Sequence, residues 1–303
     1  MKVSVVIPTY NDQGTIAATV ESALRQRFDA GFEVIVVNDG STDGTRAELA
    51  KFGGRIRVID QENAGVAAAR NAGIAVAAGE YIALLDGDDT WTENKLSRTV
   101  QVLDQDPECV AVFSNLMQVD GAGREVSHYV SPEFEHSPTL DEMLDWPWPY
   151  LPSALVIRRE TLIAVGGFPQ DFKADHYGGE DNFITLLVRE RGAILYVPET
   201  LVRRRLRDYR EHYANRLRSR RFEVNSAEGF REFMRRFDGA RTCARLTREH
   251  FGARARKFEA WAADSIGREL VGVGLMAMHD GNRAFALRCY RASIRHSPLR
   301  LKT

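Results

Sequence analysis

The sequence predicts an α/β fold: a mixed, mainly parallel sheet flanked by helices, followed by a helical C-terminal region. Three observations carry this. Short Val/Ile-rich runs alternate with segments of helical spacing over the first hundred residues. Such alternation produces a parallel sheet covered on both faces. The runs close on polar clusters, so one rim of the sheet collects the reactive side chains. From about residue 206 the text turns to Arg-rich helical segments with few β-branched runs. Residues 1–205 are therefore read as one domain and 206–303 as a basic α-helical region.

The elements follow in order. "KVSVVIP", "FEVIVVND", "RIRVID" and "EYIALLD" read as strands, each ending at a polar or turn residue. Between them "GTIAATVESALRQRF", "STDGTRAELAKF" and "AGVAAARNAGIAVAAG" read as helices. Ser41 or Thr42 is the expected cap of the second helix, and Gly79 the expected end of the third. "TENKLSRTVQVLDQD" reads as a helix capped by Thr92, and "CVAVFSNLMQVDGAGREV" as a strand and hairpin turning at Asp120–Gly123. Residues 131–152 are irregular and aromatic. "SALVIRRETLIAVGGF" is a strand and short helix, "GGEDNFITLLVRERG" a helix begun by two glycines, and "AILYVPET" the last strand. Two C-terminal helices are expected to form a hairpin joined at Asp280–Gly281.

Composition narrows the function classes. The chain has 303 residues, 44% hydrophobic and 27% charged, as in ordinary globular proteins. Its three cysteines, Cys109, Cys243 and Cys289, are far apart and show no CxxC, so neither a disulfide framework nor a zinc site is suggested. The N-terminus reads as a first strand rather than a signal peptide, and no run approaches transmembrane length. A cytoplasmic location is expected.

The net charge of −1 conceals a split: residues 1–202 hold 16 basic and 31 acidic side chains, residues 203–303 hold 25 and 11. A basic tail of this kind is either a solvated helical surface or a face for anionic lipid or a phosphate-bearing acceptor. No nucleic-acid-binding motif accompanies it, and no nucleic-acid partner is expected.

The polar clusters carry the chemistry. "LLDGDDTW" gathers Asp86, Asp88 and Asp89 just past a strand. Solvated turn acids would account for one such loop. Hard divalent cations, however, take oxygen ligands and share them with substrate phosphates. "VNDGSTDGT" places Asp39 just past another strand, as good turn chemistry or as an acceptor for a base imide N–H. It is neither a phosphate-binding Gly-Lys-Ser/Thr loop nor a dinucleotide fingerprint. "GGEDN" puts Glu180 and Asp181 at a helix start. There they compensate the dipole or, beside a metal-bound diphosphate, supply a general base.

Together "VVIPTYND", "EVIVVNDGSTDGT", "NAGVAAARNAGIAVAAGEYIALLDGDD", "VGGF" and "GGEDNFITLLVRERGAILYVPE" resemble, in order and spacing, the family 2 glycosyltransferases. The resemblance covers about residues 1–203 and implies an inverting enzyme of the GT-A fold. By resemblance Thr9, Tyr10 and Asp39 hold the nucleotide base, and Arg70 lies near the nucleotide. Asp88 contacts ribose or metal, Asp89 binds the metal (Mn²⁺ or Mg²⁺), Asp86 supports them, and Asp181, beside Glu180, is the catalytic base. The implied donor is a nucleotide-sugar, UDP-sugar by analogy, and the acceptor a glycan or lipid-linked hydroxyl. The basic C-terminal region would give peripheral contact with the inner face of the membrane.

One departure stands out. Where many members follow the last strand with a Tyr-Arg-x-His-like segment, this chain reads "LVRRRLRDYREH". His212 falls late, and Arg203, Arg204 and Arg205 become candidates for phosphate contacts. Trp146 and Trp148 are read either as the acceptor side of the cleft or as core. The rival readings are a nucleotidyltransferase, which would need a Gly-rich triphosphate loop absent from "PTYNDQGT", and a non-catalytic nucleotide-sugar- or carbohydrate-binding protein.

Overall fold

The structure is a computed structural model that describes residues 1–130, 136–145, 148, 150–172, 179–206, 234, 237–279 and 283–296. The chain divides into two compact units. The first holds Met1–Met143, Trp148–Ala174 and Glu180–Arg207, and the second holds Leu144–Pro147, Asp175–Gly179 and Asp208–Thr303.

The first unit is built on one mixed sheet. Strands β1 (Val3–Thr9), β2 (Phe32–Asp39), β3 (Arg57–Gln61) and β4 (Tyr81–Leu84) alternate with helices α1 (Ile16–Leu24), α2 (Thr45–Ala50) and α3 (Val66–Val76). After β4 come β5 (Thr90–Trp91), α4 (Lys95–Gln105), β6 (Cys109–Val119), β7 (Glu125–His128) and α5 (Leu140–Asp145). The unit closes with β8 (Leu155–Arg158), α6 (Arg159–Ala164), α7 (Glu180–Arg191) and β9 (Ala193–Arg205). The strand order is β3-β2-β1-β4-β8-β6-β9-β5, with β7 paired to β6.

β1 runs parallel between β2 and β4, in register Val5↔Val34 and Val5↔Ala83. Every residue of β1 is buried, as a strand covered on both faces requires. β3 lies at the edge and is largely polar and exposed, which protects an open edge. β8 is antiparallel to both β4 and β6, whereas β6 and β9 are parallel. α4 turns Leu96, Val100 and Leu103 into the core at helical spacing. Each such burial contributes roughly 1.5–3 kcal/mol.

Three local expectations are corrected. Gly44, not Ser41 or Thr42, stands at the cap position of α2, and the residue before it, Asp43, accepts the Thr45 N–H at 3.0 Å and the Thr45 hydroxyl at 2.6 Å through Oδ1. α3 ends at Val76, before Gly79. Gly79 is needed for close approach instead, because a Cβ there would lie 2.4 Å from the Ser4 nitrogen. α4 starts at Lys95 with Asn94 at its cap position, later than the Thr92 start. The hairpin at Asp120–Gly123 is present, with the Gly123 N–H donated to the Asp120 carbonyl at 2.9 Å.

The second unit contains helices Asp238–Phe251, Arg256–His279 and Arg283–His296. The last two pack Val273 and Ala277 against Phe285, Ala286 and Cys289. Gly274 permits this approach: a Cβ would lie 2.7 Å from the Tyr290 ring. The expected junction at Asp280–Gly281 lies outside the described residues. Among the described residues no helix is long and apolar enough to cross a membrane.

Candidate active site

The C-terminal ends of β1, β2 and β4 form one rim, where open α/β sheets bind ligands. At the end of β1 the buried Thr9 donates its hydroxyl to Asp12 Oδ2 at 2.9 Å, and the Tyr10 N–H donates to the same oxygen at 3.1 Å. The Tyr10 side chain is exposed. The loop after β4 lies directly on this end: a Cβ on Gly87 would sit 2.6 Å from Asp12 Oδ2 and 3.2 Å from the Pro8 carbonyl. Thr15 and Thr19 donate their hydroxyls to the Gly87 carbonyl at 2.9 and 3.0 Å. The glycine within "DGDD" is therefore a packing requirement that brings the three aspartates onto the rim.

Asp39, at the end of β2, is buried and held by protein donors. Its Oδ1 accepts from Gln61 Nε2 at 2.7 Å and the Ala64 N–H at 2.9 Å, and its Oδ2 accepts the Gly65 N–H at 2.9 Å. It thereby ties β2 to the start of α3. A carboxylate has about four lone-pair sites, so one acceptor direction on Oδ2 remains after these bonds.

Arg70 links two parts of the rim. Buried on α3, it donates through Nη2 to Asp86 Oδ1 and through Nη1 to Glu180 Oε1, both at 2.8 Å. Its guanidinium lies over the Phe168 ring. Burial works against its charge, but Asp86 and Glu180 more than offset this, and its proton affinity rises. The buried Nε has no hydrogen-bond partner. Arg70 thus joins the aspartate loop to the N-terminus of α7.

Asp89 is 4% exposed. Its Oδ2 accepts the Ser153 hydroxyl at 2.6 Å and its Oδ1 accepts the Arg205 N–H at 3.0 Å. Burial, then the facing charges of Asp88 and Asp86, pushes its carboxyl up to about 8. Asp181, half-buried in the first turn of α7, accepts the Asn182 N–H at 2.8 Å. Burial and the charge of Glu180 raise its carboxyl to about 7, with Arg70 pulling the other way. Such a value suits a general base at neutral pH.

The arginines of the last strand are placed differently from expectation. β9 runs through Arg205, so all three belong to the strand rather than to a segment after it. Arg203 pairs with Glu125 at 2.7 Å, and the Arg204 guanidinium lies over the Tyr129 ring. Arg205 reaches the site through its backbone N–H, while its guanidinium donates to the Gly121 carbonyl at 3.2 Å. Trp148 is buried between His136 and Tyr150, a core placement that offers no open ring face. Trp146 and His212 lie outside the described residues. Ser153, which donates to Asp89 and accepts the Asp86 N–H, is an addition that the sequence does not announce, since it reads as the start of a strand.

The donor set suits a hard divalent cation. Asp88 and Asp89 offer carboxylate oxygens, and a cation would relieve the like-charge crowding that raises Asp89. Among the described residues no three acidic, His or Cys side chains could hold a metal by themselves. A cation here would therefore share its coordination with ligand phosphates and water, as Mg²⁺ commonly does.

Comparison with known proteins identifies the family and the fold. Residues 4–164 match the family described as "Glycosyl transferase family 2". The chain is 40% identical over 103 residues to the Escherichia coli UDP-Glc:alpha-D-GlcNAc-diphosphoundecaprenol beta-1,3-glucosyltransferase WfgD, covering 33% of this chain and 40% of that one. It is 39% identical over 125 residues to the putative teichuronic acid biosynthesis glycosyltransferase TuaG of Bacillus subtilis, covering 39% and 49% respectively. The chain thus spans less than half the length of these curated relatives. The crystal structure of Staphylococcus aureus TarS 1–349 with UDP-GlcNAc shares the fold. Its TM-score is 0.58 at 21% identity, over 97% of this chain and 91% of that one. With more than half of its length matched by the family, the chain belongs to glycosyl transferase family 2.

Proposed function

We propose that this chain transfers a sugar from a nucleotide-diphosphate sugar to an acceptor hydroxyl, with inversion at the anomeric carbon. The observation that carries the reading is the Arg70 bridge, which links the aspartate loop through Asp86 to Glu180, next to Asp181. Asp181 takes the acceptor proton as the new C–O bond forms. The bond to the leaving diphosphate breaks in the same displacement, so no covalent enzyme nucleophile is required. Thr9, Tyr10 and Asp39 form the nucleotide side, with Asp88 toward the ribose. Asp89 and Asp88 would hold Mn²⁺ or Mg²⁺, which would offset charge on the leaving diphosphate.

UDP is the proposed carrier, supported by the UDP-GlcNAc complex of the structural neighbour and the UDP-Glc donor in the name of the E. coli relative. That relative's acceptor is carried on diphosphoundecaprenol, which supports a lipid-linked acceptor in glycan assembly here. Membrane contact through the C-terminal region is part of this reading. The exposed Val271, Leu275 and Met278 recur at i, i+4 and i+7 on one helix of a strongly basic region.

A screen of UDP-, GDP- and dTDP-sugar hydrolysis with Mn²⁺, Mg²⁺ or EDTA tests the activity. Turnover of a UDP-sugar dependent on a divalent cation is expected, and absence of turnover with every donor overturns it. Flotation with anionic and neutral vesicles tests the membrane contact, which is overturned if no salt-sensitive binding to the anionic set is seen.

A further inference from the structure

Lys95 is an anomaly in the first unit. It is fully buried at the first residue of α4, the end of a helix where a cation is least favoured. Its ammonium donates to the Ala154 carbonyl at 2.7 Å and the Ser114 hydroxyl at 3.0 Å. Burial alone lowers its proton affinity, to about 7, with no neighbouring carboxylate to offset it. An uncompensated buried charge costs stability, so Lys95 is an expensive residue at this position.

Ala154 ends the short turn Pro152–Ala154, and Ser153 lies at the turn's centre. The Ser153 hydroxyl donates to Asp89 Oδ2 at 2.6 Å and accepts the Asp86 N–H at 3.1 Å. Trp91 Nε1 donates to the Ser153 carbonyl at 2.8 Å. The segment from Asp86 to Lys95 thus clasps the turn at four points, two of them at the functional aspartates. Gln26 fixes the base of the clasp, donating to the Thr92 carbonyl at 2.7 Å and accepting the Leu96 N–H at 2.9 Å.

We propose that Lys95 is a positioning residue: by fixing the Pro152–Ala154 turn it aims the Ser153 hydroxyl at Asp89 and sets the aspartate rim for a nucleoside diphosphate. The proposal rests on the donor-binding reading above. Lys95 touches neither donor nor acceptor in this scheme.

The test is a double-mutant cycle read by UDP calorimetry with Mn²⁺. Lys95→Met replaces the charge by an apolar chain of similar length, so relief of the buried charge offsets the two lost hydrogen bonds and the melting temperature is expected to change little. UDP affinity is nevertheless expected to fall about tenfold, the low end for loss of outer-shell support. Ser153→Ala should fall by a similar factor, and the double variant should bind no more weakly than Ser153→Ala alone. Lys95→Gln keeps a donor for the Ala154 carbonyl and should stay within about threefold of wild type.

Wild-type affinity in Lys95→Met, or losses that multiply in the double variant, overturns the proposal. If Lys95→Met does not fold, the cycle is completed with Lys95→Gln, and a full-sized loss that adds to that of Ser153→Ala overturns it. Absence of UDP binding by the wild type sinks the donor reading instead. The clasp then remains testable by amide exchange. In Lys95→Met the Asp86 and Arg205 amides should exchange faster while the β1–β4 ladder is unchanged. Unchanged exchange at Asp86 and Arg205 overturns the positioning role.

Discussion

Asp39, the last residue of β2, and Asp89, in the loop after β4, are both buried carboxylates on one rim, yet they face opposite surroundings. Asp39 meets three N–H donors, from Gln61, Ala64 and Gly65. Asp89 meets one hydroxyl, one N–H and the charges of Asp88 and Asp86, and its carboxyl rises to about 8. Asp181 follows the Asp89 pattern, pushed up beside Glu180 to about 7. A carboxylate wrapped in N–H groups contributes to the fold. One held against other carboxylates is costly until a cation or a proton arrives. On the function proposed above, the two patterns separate a carboxylate that organises the site from carboxylates that act in it.

The largest expected effect lies on the acting side. Asp181→Asn should lower transfer by about 10²- to 10⁴-fold, the range for loss of a general base. UDP binding should stay within a few-fold of wild type, since the donor is held elsewhere. Turnover near wild type in single-turnover assays would remove Asp181 from the mechanism. The acid limb of kcat gives the same assignment a second reading. The base must be ionised, so the rate should drop roughly tenfold per pH unit below about 7 and level off above it.

On the organising side, Asp39→Ala should cost about 2–3 kcal/mol in urea unfolding, because it strands the buried amides of the β3–α3 connection. Asp89→Ala should cost less stability than Asp39→Ala, because relief of the crowding with Asp88 and Asp86 offsets the lost Ser153 and Arg205 bonds, while it weakens Mn²⁺-dependent UDP binding about 10- to 100-fold. Equal destabilisation by the two substitutions would dissolve the distinction between them.

This distinction also marks what the chain's text can convey. The aspartates at 39, 86, 88, 89 and 181 were legible because they cluster at strand ends and at a helix start. The alternating Val/Ile runs made the sheet legible for the same local reason. Lys95 and Ser153 were not legible: "TENKLSRTV" reads as a helix start capped by Thr92 and "SALVI" as the start of a strand. Their roles exist only once β8 brings Pro152–Ala154 against the loop after β4. Arg205 was legible as a charge, but the structure uses its backbone N–H, which any residue would supply. Trp148 reads equally as cleft or core, and packing against Tyr150 decides it. Gly87 reads as turn chemistry until its closeness to Asp12 and Pro8 gives it a steric reason.

The smallest effect sharpens the comparison most, because it concerns stability alone. The folded pKa of Asp181, about 7, lies above the unfolded value near 3.9. Between those values the native state keeps a proton that the unfolded chain has released. The stability contributed by this group is therefore fully present below about pH 4 and is lost as pH rises through about 7. Asparagine cannot ionise, so Asp181→Asn escapes that loss. Urea unfolding of the two proteins should agree closely at pH 4 and diverge by about 1–3 kcal/mol in favour of the variant at pH 8, reduced from the full linkage value because the carboxyl is only half-buried. If the Asp181→Asn advantage is the same at pH 4 and pH 8, the carboxyl is not held protonated by its surroundings. The acid limb of kcat would then need a different group to explain it.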